Sequence, residues 1–225
     1  MFKLVKTISD AFGNDINLYA QTCTTAKENI LLVARFHGDE PEGEFCLREL
    51  MKEAQDQELV SPYNIYITPC LNPSGKELFT RANGHKIDLN RNYPTQNFTD
   101  VSFNPHTKEL SSGTPASEIE TKFMIETVIQ YNFVRILSIH SDLHLIDYDG
   151  PARDLALRFS AMCHYKLVDN IGYATNGSFG TWVGIEKQIP LITVETWHAE
   201  NENDMAKIWS ELKPAIWDFC KLTSA

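Results

Sequence analysis

The sequence lacks an excess of positive charge, a CxxC pair and any apolar run long enough to cross a bilayer. Its formal net charge of −10 argues against a nucleic-acid partner, because phosphate binding requires clustered Lys and Arg. The five cysteines are odd in number and are interpreted as reduced, buried thiols. The N-terminus has no apolar signal region and the chain no candidate membrane segment, so for an intact chain we expect a cytoplasmic protein.

What is present suffices for one sizeable core. The chain has 225 residues and a hydrophobic content of 43%. No Pro/Gly/Ser-rich linker, block of charge or internal repeat divides it. We therefore expect a single domain over residues 1–225.

Apolar runs bounded by turn residues alternate with amphipathic segments along the chain. The predicted strands are Ile30–Phe36, Tyr63–Thr68, Val134–Ile139 and Leu191–Glu195. The predicted helices are Gly43–Gln57, Ser117–Tyr131, Ala152–Cys163 and a last one from about Asp204. This order indicates an α/β fold in which helices cover both faces of a mostly parallel central sheet.

Three local features sharpen these predictions. Ser117 and Glu120 have the spacing of a capping box at a helix start. Pro214 is expected to kink or break the last helix. The polar segment 95–115 has no periodicity, which is typical either of a functional lid or specificity loop or of a surface insertion.

Three segments that follow apolar runs predict a hydrolytic zinc centre. They contain His37 with Glu40, then His140, and finally Glu195. Two ligands close together, a third about a hundred residues later and a separate carboxylate are typical of such centres, in which water takes the fourth position. An apolar environment would raise the pKa of Glu195 toward that of a general base.

Each of these residues also has an ordinary explanation. An HxxE pair is more often a surface pair than a metal site, and a lone His at a strand end is more often a bonded core residue. Glu195 could instead form a salt bridge with an arginine. Nearby His144 and His198 are assigned to structural roles or to the rim of the site.

The segment from Arg81 to Pro94 is the most specific in the chain. It contains Asp88-Leu89-Asn90-Arg91, and an Arg–Asn pair can hold a carboxylate through charge-assisted hydrogen bonds. A separate Arg can stabilise an oxyanion. The alternative is a solvated turn before Pro94.

With these motifs in order, the chain resembles the zinc metallocarboxypeptidases of the carboxypeptidase A type. The resemblance extends from about Ile30 to Trp197 and implies a zinc carboxypeptidase-like fold with a mixed, mostly parallel sheet. The motifs that carry it are His37/Glu40, Arg81, Asp88/Asn90/Arg91, His140, Tyr173 before Gly177-Ser178, and Glu195.

The resemblance implies a role for each matching residue. One Zn²⁺ per chain would be held by His37, Glu40 and His140, with Asp88 orienting His37. The residues implied in catalysis are Glu195 as the proton-transferring base, Arg81 polarising the scissile carbonyl, and Tyr173 covering the substrate. The residues implied in substrate binding are Asn90 and Arg91 at the terminal carboxylate, and Ser178 and Phe179 in the pocket for the residue after the cut.

Within that family the chain is most similar to the murein peptide amidase A group, through DLNRNYP at Asp88–Pro94 and GYATNGSFGTW at Gly172–Trp182. The resemblance implies a peptide substrate, the γ-D-glutamyl–meso-diaminopimelate bond, and a place in peptidoglycan recycling. The sequence differs from the motifs of that group at Ser141-Asp142, Asn176 and Tyr93. These differences affect the expected substrate more than the expected chemistry.

Two other functions remain open at this point. One is an N-acyl amino acid deacylase similar to aspartoacylase or succinylglutamate desuccinylase, which shares the HxxE and DLNR motifs. The other is a non-catalytic peptide-binding module on a decayed hydrolase fold. The sequence gives no information on the oligomeric state.

Overall fold

The computed structural model describes residues 1–56, 59–100 and 110–221, with the side chain of residue 56 left out. One eight-stranded sheet has the order β1-β2-β4-β3-β5-β8-β6-β7. The strands are β1 Lys3–Ser9, β2 Asp15–Gln21, β3 Glu28–Ala34, β4 Tyr63–Thr68, β5 Phe133–Ser141, β6 Leu145–Asp149, β7 Lys166–Leu167 and β8 Leu191–Thr196. The four central strands, β4-β3-β5-β8, are parallel, whereas β1, β2 and β6 pair antiparallel. The predicted mixed, mostly parallel sheet is confirmed.

Helices cover both faces of this sheet. They are α1 Pro41–Asp56, α2 Pro73–Leu78, α3 Ile119–Tyr131, α4 Arg153–Cys163 and α5 Glu202–Lys221. On one face α1, α4 and α5 pack on alternate residues of the central strands. On the other face α3 packs beside a mainly aromatic group at residues 89–93 and 179–183. These residues belong to two short helical turns, Leu89–Arg91 and Thr181–Glu186, and to the positions next to them. Each large aliphatic side chain buried in these layers contributes about 1.5–3 kcal/mol.

The predicted capping box is wrong. Helix α3 begins at Ile119, and its N-cap residue, Glu118, makes no side-chain cap. The hydroxyl of Ser117 donates to the Glu118 carboxylate instead, and Asn92 Oδ1 accepts from the Glu118 amide. The backbone amide just before the helix is therefore satisfied by a neighbouring loop and not by a local cap.

Of the two effects expected from Pro214, a kink or a break, the structure rules out the break. Helix α5 runs from Glu202 to Lys221 with Pro214 inside it. Its buried face includes Ile208, Leu212 and Ile216. Burial of this apolar face offsets the backbone hydrogen bond that proline removes.

Several predicted boundaries shift, and four strands were not anticipated. Strand β3 ends at Ala34 instead of Phe36, because Arg35 adopts a left-handed conformation with φ 56°. Strands β1, β2, β6 and β7 lie outside the predicted set. All five cysteines are free thiols, but Cys23 is exposed, so the expectation of burial is wrong for it. None of the helices in the described part of the chain combines the length and apolarity needed to cross a bilayer.

The sheet order places the carboxyl ends of β3 and β5 side by side at a switch in topology. The chain leaves β3 toward β4 on one side and later returns to β5 on the other. A crevice forms where successive connections diverge in this way, and ligands bind there in open α/β sheets. His37 and His140 both lie at this point.

Candidate active site

The loop after β3 carries the first two candidate ligands. His37 and Glu40 lie in the short connection to α1, whose first residue is Pro41, as expected from its fixed φ. Gly38 makes the turn feasible, because a Cβ there would lie 1.9 Å from the backbone carbon of Gly75. The Arg35 guanidinium donates to the Gly38 carbonyl and holds the loop against the sheet.

His140 closes the cluster from the end of β5. Its Nδ1 lies 2.9 Å from Glu40 Oε2 and 3.3 Å from His37 Nδ1. His37 Nδ1 lies 2.6 Å from Glu40 Oε1. One ligand atom from each of the three buried residues lies within 4.8 Å of the others.

The donor set fits a zinc ion. Two imidazole nitrogens bound to a tetrahedral zinc at the usual bond length lie about 3.3 Å apart, which is the spacing of the two Nδ1 atoms. Two nitrogen lone pairs facing each other at this distance require a proton or a cation between them. The other nitrogen of His37, Nε2, lies 3.2 Å from Asp88 Oδ1, an arrangement that leaves Nδ1 available as a ligand.

The charges of this cluster balance one another. Burial lowers the pKa of His37, but the charges of Glu40 and Asp88 outweigh it and raise that pKa to about 9. Burial raises the pKa of Glu40, and the two neighbouring histidines reverse this and lower it. Arg81 Nε donates to Asp88 Oδ2 at 3.0 Å, and Arg81 Nη1 lies 3.5 Å from Glu40.

The segment Asp88–Arg91 is a partly buried 3₁₀ turn and not a solvated one, with Asp88 and Leu89 buried. Asp88 caps the turn by accepting from the Asn90 amide, and Leu89 is fully buried beneath it. Asn90 Oδ1 accepts from the Phe179 amide at 2.9 Å, which leaves its NH₂ group to face the cavity. Asn90 and Arg91 both line that cavity, as a clamp for a carboxylate requires.

One cavity gathers most of the predicted residues in front of the cluster. Its lining includes His37, Arg81, Asn90, Arg91, Tyr173, Ser178 and Glu195. Glu40, His140 and Asp88 do not line this cavity but contact residues that do. Glu40 and His140 contact His37, and Asp88 accepts from Arg81. Tyr173 is about half exposed at the cavity mouth.

Glu195 is poised as an unpaired carboxylate. It lies directly across from His140 in the β5–β8 register. Its Oε2 is buried and has no hydrogen-bond partner among the described residues, so the alternative of a salt bridge to an arginine does not hold for this atom. Burial is the main cause that raises the pKa of Glu195 above its ordinary value of 4.5. A carboxylate in this state is a competent proton acceptor.

Phe179 does not line the cavity, and that prediction is wrong. Its side chain is 2% exposed and packs among Phe36, Tyr93 and Trp182 on the far side of the turn. Only its backbone faces the site, through the bond to Asn90. Ser178 does line the cavity, but its hydroxyl also accepts from the Thr181 amide and caps the turn that follows.

His144 and His198 lie at the edge of the site. His144 stacks edge-on against Tyr165, and His198 Nδ1 lies 3.3 Å from the fully buried Glu42. Glu42 also accepts from the Ser141 hydroxyl and from the Ala199 amide, so it joins the end of β5 to the loop after β8.

The predicted loop 95–115 lies only partly within the described residues, because 101–109 fall outside them. Its first part contacts the turn before Ser178: the Gly177 amide donates to Thr95 Oγ1, and Asn176 donates to Thr99 Oγ1. Its last part pairs with the clamp segment, since the Asp88 amide donates to the Ser111 carbonyl. Both ends of the loop therefore support residues that line the cavity.

Several lining residues were missed by the sequence interpretation, and four of them lie close to Glu195 or Ser178 in the sheet or along the chain. They are Asp147 and Asp149 on β6, Gly180, and Thr193 on β8. The alternation Asp147-Tyr148-Asp149 within an apolar segment was the available signal, because two acidic residues on one face of a strand are costly to bury. It went unused because β6 was not predicted.

Residues 12–153 match the family model described as zinc carboxypeptidase, and this range contains His37, Glu40 and His140. The chain belongs to the zinc carboxypeptidase family. It is 32% identical over 194 residues to murein peptide amidase A of Vibrio campbellii, which covers 79% of this chain and 73% of that protein. The chain is thus a zinc metallopeptidase, as the motif order predicted.

Solved structures of zinc carboxypeptidase fold agree with this assignment. The murein-tripeptide amidase of Escherichia coli O157 superposes with a TM-score of 0.75 at 23% identity, covering 96% of this chain and 90% of that one. Carboxypeptidase A of Helicoverpa armigera gives a TM-score of 0.78 at 15% identity, covering 96% and 66%. At these identities the likeness shows the fold alone.

Proposed function

We propose that this zinc metallopeptidase hydrolyses an amide bond next to a free C-terminal carboxylate, and that its substrate is the γ-D-glutamyl–meso-diaminopimelate bond of murein peptides. The observation that carries the first part is a cavity that Asn90, Arg91 and Glu195 line together with His37 of the His37–Glu40–His140 cluster. The similarity to murein peptide amidase A supports the second part.

The proposed roles follow from position and charge. His37, Glu40 and His140 would hold the zinc ion, which would supply a Lewis acid and lower the pKa of bound water toward neutrality. Glu195 takes a proton from the attacking water and passes it to the leaving amine. Arg81 stabilises the charge that develops on the carbonyl oxygen.

Substrate orientation is assigned to the clamp. The Arg91 guanidinium and the free NH₂ group of Asn90 bind the terminal carboxylate, which places the adjacent amide over the metal cluster. Tyr173 covers the bound residue from the cavity mouth. Asp88 holds both His37 and Arg81, so one carboxylate sets the geometry of a metal ligand and of the oxyanion donor.

A cytoplasmic place of action in peptidoglycan recycling is part of this proposal. All five cysteines are free thiols, which suits a reducing compartment.

The test is release of free diaminopimelate from purified L-Ala-γ-D-Glu-meso-diaminopimelate by the zinc-loaded protein. N-acetylaspartate serves as the comparison substrate, because a deacylase would prefer it. The Glu195→Gln protein, whose zinc content is measured separately, is the negative control. Absence of diaminopimelate at high enzyme concentration, or faster cleavage of N-acetylaspartate, would contradict the proposal.

A further inference from the structure

A row of side chains extends the active site inward from Glu195. In the β6–β8 register Leu145 lies opposite Glu195, Asp147 opposite Thr193, and Asp149 opposite Leu191. Residues two apart on a strand share a face, so both aspartates point to the same side of the sheet as Glu195. The two carboxylates form the floor of the cavity that Arg91 and Tyr173 line at its mouth.

The spacing along the strands gives the depth of each group. One two-residue step on a strand is about 7 Å. Asp147 is one step from the level of Glu195, and Asp149 is two steps, in the direction away from the metal cluster. A substrate residue held by the clamp at its carboxylate would therefore direct its side chain toward these carboxylates.

The floor carries negative charge that the described chain does not neutralise. Neither Asp147 nor Asp149 forms an ion pair with any residue the structure describes. Burial raises the pKa of both carboxyls, and the charge of Asp147 adds to the effect on Asp149, whose pKa rises to about 6. Buried carboxylates are normally paired, so an unpaired couple in a cavity favours a cationic ligand.

Space for the Asp149 carboxylate is provided by a missing side chain. A Cβ on Gly180 would lie 2.1 Å from Asp149 Oδ2. Gly180 itself lines the cavity. The turn that carries Ser178 thus leaves the deeper carboxylate open to the cavity.

Other acidic residues are less suitable. Asp142 lines the cavity but is exposed at its edge. Glu118 lies outside it and already accepts from Asn83, with His85 Nδ1 at 2.7 Å. Asp147 and Asp149 are therefore the carboxylates placed to meet a side chain inside the cavity.

We propose that Asp147 and Asp149 select the residue released by this enzyme, by binding an ammonium group on the side chain of that residue. The cavity then has one cationic end, at Arg91, and one anionic end, at the β6 floor. This charge pattern fits an amino acid with a free carboxylate and a side-chain amine, a class that includes lysine, ornithine and diaminopimelate. The inference rests on the proposed function, because it takes the clamp as the site of the terminal carboxylate.

The test compares three γ-D-glutamyl peptides that end in diaminopimelate, lysine or norleucine. Norleucine matches lysine in shape but lacks the ammonium group. We expect the zinc-loaded wild type to cleave the two amine-bearing peptides with a higher kcat/KM than the norleucine peptide. Asp149→Asn and Asp147→Asn should each lower kcat/KM for the lysine peptide by about 10- to 100-fold, the range for one hydrogen bond to a charged group. The norleucine peptide should change little.

Asp154→Asn is the matched control, because Asp154 is exposed in the first turn of α4 and lies outside the cavity lining. Equal cleavage of the lysine and norleucine peptides by wild type would overturn the inference while leaving the proposed amidase activity intact.

If no peptide is cleaved, the inference can still be tested by calorimetry. The binding of free lysine to the zinc-loaded protein is then compared with that of free norleucine. If no peptide is cleaved but lysine binds more tightly than norleucine, and Asp149→Asn removes the difference, the inference holds and the proposed reaction fails. Equal binding of the two amino acids would overturn the inference.

Discussion

Two groups of carboxylates, one buried in the metal cluster and one partly buried on the β6 floor, differ in how their charge is balanced. In the metal cluster Glu40 and Asp88 are surrounded by His37, His140 and Arg81, and the pKa of each carboxyl is lowered. On the β6 floor burial raises the pKa of Asp147 and of Asp149, and the neighbouring charges that act on them, Asp169 on Asp147 and Asp147 on Asp149, are themselves acidic and raise each pKa further.

The difference indicates two roles: the carboxylates of the metal cluster stabilise the site, whereas those of the β6 floor remain available to a ligand. A paired buried carboxylate costs little to ionise and fixes its neighbours, whereas an unpaired one favours the neutral form until a cation arrives. The first group can therefore orient side chains before any ligand binds. The second group is suited to contribute binding energy when the ligand is present.

The largest expected effect comes from removing a histidine from the metal cluster. His140→Ala removes one of three candidate ligands and one of the two histidines that contact Glu40, so zinc content and hydrolysis should both be lost. Elemental analysis of the purified variant, with circular dichroism to check the fold, measures this. A variant that keeps one equivalent of zinc would show that the metal site lies elsewhere.

Glu195→Gln should lower kcat by roughly 10²–10⁴-fold, the usual contribution of a positioned base. Gln keeps the shape of Glu, and Glu195 does not belong to the His–Glu–His cluster, so zinc content should equal that of wild type. Steady-state kinetics on the murein tripeptide and a parallel zinc assay give the two values. Loss of zinc in this variant would place Glu195 among the ligands.

Asp88→Asn tests whether a paired carboxylate acts through its neighbours. Because Asp88 accepts from His37 and Arg81, its loss should weaken zinc binding by about 10- to 100-fold. Competition with a chromophoric chelator measures the affinity. Asp10→Asn is the control, since Asp10 is equally buried but only binds its own turn; a similar loss there would indicate a general effect of removing a buried carboxylate.

The smallest effect concerns stability and pH. The pKa of Asp149 rises from its ordinary 3.8 to about 6 on folding, so the folded state binds the proton more tightly. This group therefore stabilises the fold below about pH 3.8, and its contribution is lost as the pH rises to about 6. The free energy of unfolding of Asp149→Asn minus that of wild type should therefore be larger at pH 7 than at pH 4.

Urea unfolding of both proteins at the two pH values measures that difference, with Asp154→Asn as a surface control. A difference between wild type and Asp149→Asn that is the same at pH 4 and pH 7 would mean that the floor carboxylate ionises as freely in the fold as in the unfolded chain.

The sequence predicted the metal cluster well because its geometry depends on strand ends. His37, His140 and Glu195 each follow a mainly apolar run, and the carboxyl ends of neighbouring parallel strands meet at one edge. The pairing of β3 with β5 and of β5 with β8 then brings the segments together without further information.

The substrate side of the site was harder to predict because it depends on packing between distant segments. Phe179 turns into the aromatic layer, although its motif suggested the cavity, since burial beside Tyr93 and Trp182 outweighs exposure at the surface. The β6 floor required knowledge of an antiparallel edge strand and of its register against β8. A one-residue shift of that register would turn Asp147 and Asp149 to the other face.

The separation of the two histidines along the chain has a consequence for folding. His37 and His140 are 103 residues apart in sequence, yet their Nδ1 atoms lie 3.3 Å apart. Closing such a long connection is a late and slow event, because β3 and β5 must pair before both nitrogens face one point. Zinc capture is thus expected to follow central-sheet formation, and a nascent chain released before residue 140 would hold only two of the three ligands.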